Sequence, residues 1–216
     1  MTEFWKSGHR MKTVVIPASS PEMLSRVLEI LNNGGLIALP TDTVYGLGAM
    51  AFDGPTIKSI YTVKGRSNEK AIPILIGDPA DLEKVSANVP TMAQTLAQHF
   101  WPGPLTLVVP KNPYIPNAVS RTHSVGVRVP NHPVTREILN AAGPLAVTSA
   151  NLSGRKNPKN AQEVLEQLNG RIPLIVDAGE VGEGLASTVV NCLGIEPVVL
   201  REGPISLDQI KKVLGI

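Results

Sequence analysis

A single cysteine, Cys192, in a chain of 216 residues excludes an intramolecular disulfide framework and any cysteine-rich zinc site. Aromatic residues are almost as sparse, at 4%, so a core has to be built from aliphatic side chains. No apolar run approaches the roughly 20 residues of a membrane-spanning helix. Residues 1–12 hold Phe4 and Trp5 but no continuous apolar stretch of the kind a secretory leader needs. They read as a flexible N-terminal extension, with Met11 an alternative start, on a cytoplasmic protein. Charge of one sign is also missing: 20 basic against 18 acidic residues leave +2. A dedicated nucleic-acid binder usually carries more, unless its charge is gathered in one cleft. Familiar catalytic signatures are absent too. There is no GxxxxGK[ST] phosphate loop, and Gly179, Gly182 and Gly184 precede a strand, not the helix that a dinucleotide fingerprint requires. His9, His99, His123 and His132 lack metal-ligand spacing. Ser149 and Ser153 are not framed by a G-x-S-x-G elbow.

What is present is an aliphatic chain with regular punctuation. Hydrophobic residues make up 43% of it, enough for a core, and 19 Gly and 19 Pro are spread along it, marking many short elements joined by defined turns. Met23, Leu24, Val27, Leu28 and Leu31 follow helical spacing, stopped by Asn33-Gly34-Gly35. Further helices are expected over 55–64, 79–85, 91–100, 132–142 and 161–168, and from about Ser206. Strands are expected over 13–16, 36–39, 72–76, 105–109, 125–129, 145–149 and 174–177. A hairpin is expected around Gly194-Ile195-Glu196. Strands and helices interleave without a break in composition. The expectation is one α/β domain over residues 13–216, with a mixed sheet because the later strands lack crossover helices.

Three segments carry candidate chemistry. Pro40-Thr41-Asp42-Thr43-Val44-Tyr45-Gly46-Leu47-Gly48 follows an apolar strand, where open α/β sheets bind ligands. It offers hydroxyls, a carboxylate, a phenol and glycines that would let backbone approach a ligand. The alternative is a structural turn with Tyr45 in the core. Lys64-Gly65-Arg66, with Lys70 close behind, places paired cations where a helix ends. A polyphosphate suits them, and so does the helix C-terminus itself. Thr148-Ser149-Ala150-Asn151-Leu152-Ser153-Gly154 ends another strand. Ser149 and Asn151 on one side would position a nucleotide without attacking it, or would simply form an Asx turn.

The order of PTDTVYGLG, KGR, WPGPLTLVVP, VGVRVPNHP, TSANLSG, STVV and LREGPIS resembles the YrdC-like family of threonylcarbamoyl-AMP synthases, over about residues 14–205. The resemblance implies a twisted α/β sheet with a concave, positively lined cavity. It implies that Thr43, Arg128 and Ser187 hold L-threonine. Arg66, Lys70, Ser124, Ser149, Asn151, Asn157 and Arg201 would surround ATP, with Lys64 and Arg66 at the triphosphate. It further implies synthesis of an L-threonylcarbamoyl adenylate from threonine, bicarbonate and ATP, with Mg2+ accompanying the ATP, no metal ligands from the protein, and pyrophosphate released. A tRNA threonylcarbamoyl transferase would receive the product. Ser67, Thr148 and Asn157 depart from the family pattern, so Asn157 is the weakest of these assignments. The competing reading is a non-catalytic binder of double-stranded RNA or tRNA.

Overall fold

The computed structural model describes residues 12–182 and 184–216; the expected N-terminal extension lies, apart from Lys12, outside them. Its helices start and stop for local reasons. Helix α1 (Met23–Asn32) buries Met23, Val27 and Leu31 at four-residue spacing. Helix α2 (Gly54–Lys64) is capped by the Asp53 carboxylate, which accepts from the Thr56 amide, and carries Pro55 in its first turn. It ends at Gly65 with φ 59°, a left-handed position glycine occupies without a Cβ penalty.

Among the described residues, ten strands form one mixed sheet. Its order is β1 (Val14–Pro17), β8 (Leu174–Asp177), β2 (Ile37–Leu39), β3 (Gly46–Met50), β7 (Leu145–Ser149), β4 (Ile74–Leu75), β6 (Ser124–Arg128), β5 (Leu105–Pro110), β9 (Thr188–Asn191) and β10 (Val198–Arg201). Four parallel pairs (β1–β8, β8–β2, β4–β6, β5–β9) are combined with five antiparallel ones, which is the mixed sheet expected. The hairpin at 194–196 joins β9 to β10 as expected.

The sheet's two faces are treated differently, and this creates the site. One face packs its aliphatic side chains, among them Leu47, Ile74, Leu107 and Val127, in a cluster that takes in Ile57 and Ile60 of α2 and Leu96 of α3 (Thr91–Phe100). On the other face, a smaller cluster joins Ile37, Leu39, Leu145, Val147 and Leu174 to α1 and to α4 (Pro133–Ala142). That second cluster covers the β1-to-β7 half. The same face continues over β6, β5 and β9, where it carries Ser124, Gly126 and Arg128 by strand alternation. Val108 pairs with Gly126, and a Cβ on Gly126 would lie 3.0 Å from Thr106 Cγ2, which puts Thr106 on this face as well.

Strand β3 is the main departure from the sequence expectation. Gly46–Met50 reads poorly as a strand because glycine and alanine have low strand propensity. Pairing with β2 and β7 on both sides supplies what propensity lacks. The glycines are needed for packing: a Cβ on Gly46 would sit 2.5 Å from Val147 Cγ1, and one on Gly48 3.2 Å from Val147 Cγ2. They admit a neighbouring side chain, not the ligand expected of them. The strand expected over 72–76 shortens to the two residues of β4.

Candidate active site

The turn between β2 and β3 leans across the open half of the sheet. Thr41 organises it: its hydroxyl donates to the Val44 carbonyl at 2.6 Å and accepts from the amides of Thr43 and Val44, both at 3.2 Å. Tyr45 is fully buried. Its phenol donates to the Gly179 carbonyl at 2.8 Å and accepts from the Ala178 amide at 3.1 Å, and burial pushes its pKa up to about 12. Tyr45 is therefore core, tying this turn to the segment after β8. A Cβ on Gly182 would lie 2.4 Å from the Thr43 carbonyl, so the two segments touch.

Asp42 and Thr43, left at the tip, meet Arg128 from β6. The Arg128 guanidinium donates through Nε to the Gly103 carbonyl at 2.9 Å, through one terminal nitrogen to Thr43 Oγ1 at 3.0 Å, and through the other to the Asp42 carboxylate. Asp42 Oδ1 also accepts from the Asn131 amide at 3.0 Å. Arginine has five N–H donors. These contacts use three and leave one on each terminal nitrogen, the pair a ligand carboxylate accepts. Beside it, Thr106 and Ser187 share a hydrogen bond of 2.8 Å. Arg201, at the end of β10, donates to the Ser187 carbonyl from Nε (3.0 Å) and from one terminal nitrogen (2.8 Å), and from that nitrogen to Ser187 Oγ (3.0 Å). Its other terminal nitrogen makes no hydrogen bond among the described residues. A Cβ on Gly203 would lie 2.3 Å from the Thr188 amide, so the chain after β10 presses directly on the Ser187 backbone.

The opposite end of the open face lies about 13 Å away, the rise of four strand residues from Arg128 back to Ser124. Pairing of Gly46 with Ser149 brings the end of β7 there. Ser149 donates to Asn151 Oδ1, so the expectation that these two face the same side agrees with the geometry. Lys64 is 3% exposed and points its ammonium into this turn, donating to the carbonyls of Ser149 and Asn151 and to Asn151 Oδ1. Arg66 is less engaged. One terminal nitrogen donates to the Ala71 carbonyl at 3.0 Å, and its Nε is buried without a partner among the described residues.

Electrostatics sets the character of the cleft. Arg66, Arg128 and Arg201 converge on it, with Lys64 buried behind the Ser149 turn; of these four only Arg128 has an ion-pair partner among the described residues, Asp42. Burial lowers the Arg201 pKa, and the like charges of Arg128 and Arg66 lower it further. Three guanidinium groups against one carboxylate give an excess that a polyanion would neutralise. Burial, then Arg66, push Lys64 down to about 7 from 10.5, while the three oxygens around it act the other way by favouring the ammonium. Between those pH values the unfolded chain binds more protons, so this group's contribution to stability rises with pH from about 7 to 10.5. The unfolding free energy of the wild type should accordingly gain on that of Lys64→Met as pH is raised from 7 to 9.5. A difference that stays flat would contradict the depressed pKa.

Three residues singled out in the sequence make no side-chain hydrogen bond to these groups among the described residues. Lys70 is exposed, and it is its backbone carbonyl that accepts from the Tyr61 hydroxyl, at 3.2 Å. Ser124 stands at the far end of β6 and shares a hydrogen bond of 3.0 Å with Thr122. Asn157 is half-buried, with no side-chain hydrogen bond among the described residues. Three contributors went unread: Asp42 as the Arg128 partner, Thr106 as the Ser187 partner, and Gly126 as the open floor. Thr106 had a visible signal, as the one polar residue in the run Leu105–Val109.

Comparison with known proteins agrees in extent and in shape. The family profile for Sua5, YciO and YrdC, described as telomere recombination, matches residues 29–203. The chain is 38% identical over 201 residues to a threonylcarbamoyl-AMP synthase of Bacillus subtilis, covering 92% of this chain and 58% of that protein. It is 37% identical over 209 residues to a putative threonylcarbamoyl-AMP synthase of Mycobacterium tuberculosis, covering 94% of this chain and 96% of the relative. The structure of P. abyssi Sua5 complexed with L-threonine superposes with a TM-score of 0.90 at 38% identity, covering 94% of this chain and 61% of that one.

Proposed function

The chain belongs to the Sua5/YciO/YrdC family, and from that premise we propose that it makes L-threonylcarbamoyl adenylate from L-threonine, bicarbonate or CO2, and ATP, releasing pyrophosphate. The observation that carries this reading is the pairing of two unlike halves on one open sheet face. One half, Arg128 with two free donors beside the hydroxyls of Thr43 and Ser187, suits a small hydroxylated amino acid. The other, Arg66 and Ser149, suits a nucleotide, and Arg201, bonded to Ser187, feels the charges of both Arg128 and Arg66. Threonine's carboxylate takes the free donors of Arg128. Its amine adds to CO2 and loses a proton to solvent, forming the C–N bond of a carbamate. A carbamate oxygen then bonds to the α-phosphorus as the α–β phosphoanhydride breaks. Arg66 and Arg201 meet the charge on the departing pyrophosphate, so the protein contributes alignment and electrostatic stabilisation without a covalent intermediate. This makes the enzyme a nucleotidyltransferase.

Mg2+ would enter with the triphosphate. The side chains facing the cleft are cations and neutral donors, and Asp42 is already committed to Arg128 and to the Asn131 amide. That set suits phosphate oxygens and does not suit a divalent cation, so no step is assigned to a protein-held metal. The mixed anhydride is labile in water, and a tRNA threonylcarbamoyl transferase in the cytoplasm would consume it. Among the described residues no helix is long and apolar enough to cross a membrane. The relatives' names favour this enzymatic reading over the non-catalytic RNA binder. Pyrophosphate release should require threonine, bicarbonate, ATP and Mg2+ and no RNA. Release only on addition of tRNA would overturn the proposal.

Amino-acid preference follows from the hydroxyls. A pocket that recognises threonine by apolar fit alone would reject serine only about 10–200-fold, the value of one methyl group. A pocket in which Thr43 or Ser187 bonds the substrate hydroxyl leaves those groups unpaired against valine, at greater cost. The expected order of turnover is threonine, serine, valine, with Thr43→Val weakening threonine more than ATP. Faster turnover of valine than of serine would reject the hydroxyl-reading pocket.

A further inference from the structure

The sequence pattern invites Lys64 to be read as a phosphate ligand, but its contacts assign it elsewhere. An ammonium has three donors, and here three oxygens receive them: the carbonyls of Ser149 and Asn151, and Asn151 Oδ1. The Lys64 carbonyl in turn accepts from the Ser153 amide at 2.9 Å. Reaching a phosphate would strand these acceptors in a buried turn, whereas Arg66 Nε has no partner among the described residues and needs no such exchange.

The contact with Asn151 has a directional consequence. Asn151 Nδ2 donates to the carbonyls of Leu152 (3.0 Å) and Arg155 (2.7 Å), which fixes its amide orientation and turns Oδ1 toward Lys64. Oδ1 then also receives the hydroxyl proton of Ser149. With its single proton spent inward, Ser149 Oγ can present only lone pairs to the cleft. Lone pairs attract a ligand O–H or N–H and repel a phosphate oxygen.

We propose that Lys64, Asn151 and Ser149 form a polarity relay, in which Lys64 is a positioning residue and Ser149 Oγ accepts a hydrogen bond from a hydroxyl or amino group on the nucleoside part of the nucleotide. This rests on the nucleotide reading of the cleft but assigns the turn to the nucleoside and leaves the phosphates to Arg66 and Arg201. It also makes Ser149 a selector of nucleotides over bare polyphosphates.

The test compares ATP with inorganic tripolyphosphate, by calorimetry and, for the weaker ligand, by competition against ATP. Ser149→Ala should weaken ATP about tenfold, in line with one lost hydrogen bond at a closed site, and leave tripolyphosphate within twofold. Lys64→Met should show the same split and should add little to Ser149→Ala in the double variant, because both act through one contact. Loss of tripolyphosphate affinity in Ser149→Ala, or in Lys64→Met by as much as ATP, overturns the relay. If Lys64→Met does not fold, the wild-type ammonium decides the matter. Its Nζ resonance in lysine-labelled protein should shift little when tripolyphosphate binds, and a large shift would place Lys64 on the phosphates. A wild type that fails to bind ATP at all would refute the nucleotide reading itself, a separate outcome from these.

Discussion

Arg128→Ala is expected to lose threonine binding by at least about a hundredfold, the value of two charge-assisted hydrogen bonds, and to lower the melting temperature by on the order of 10 °C. The two effects share an origin. Arg128 is 5% exposed and holds Asp42, so removing it leaves a carboxylate in a nearly closed site without its partner. Breaking a buried pair from one side costs about 3–5 kcal/mol, and in a chain of this size each kcal/mol is worth about 2–4 °C. The double variant Arg128→Met, Asp42→Asn separates the roles. It should recover most of the stability, because no buried charge is left unpaired, and none of the threonine affinity. Thermal unfolding and threonine titration on the same samples read both. A double variant as unstable as Arg128→Ala would mean that the ion pair is not what couples these segments.

Arg66→Ala should cost about ten- to a hundredfold in turnover with little change in stability. The reasoning is the reverse of that for Arg128. Arg66 lies beyond the helix end marked by Gly65, makes one side-chain hydrogen bond, to Ala71, and keeps a buried Nε unpartnered among the described residues. Its donors are therefore available to a ligand, and the protein gives up little when it is removed. Arg66→Lys should recover little, because an ammonium cannot reproduce a planar, two-pronged contact. Turnover of Arg66→Ala close to wild type would return this residue to the ordinary role of a cation near a helix C-terminus.

Much of this molecule was legible from local signals. The apolar spacing of Met23, Val27 and Leu31, the Gly65 stop and the turn at Gly194 each depend on neighbours in the chain, and each appears where the pattern places it. The order of the motifs likewise identified the family without any contact being known. The strand Gly46–Met50 was invisible because nothing in Gly-Leu-Gly-Ala-Met favours extension. It is a strand because β2 and β7 flank it and Val147 needs the space that two glycines leave. Tyr45 could be read as ligand-facing or as core, and only the distant Gly179 and Ala178 decide that it is core.

The residue types of the site are a property of the sequence: cations, hydroxyls and amides gathered in three short motifs, with no nucleophile or metal set among them. Which of those groups remain available to a ligand was decided only by tertiary structure. Asp42, Arg128 and Thr43 are 85 or more positions apart across the contact, as are Lys64 and Asn151, and such pairings leave no periodic trace. A donor's availability depends on which acceptors the fold brings to it. That is why Lys64 and Arg66, two residues apart and alike in charge, end in opposite states: one saturated by the Ser149 turn, the other open.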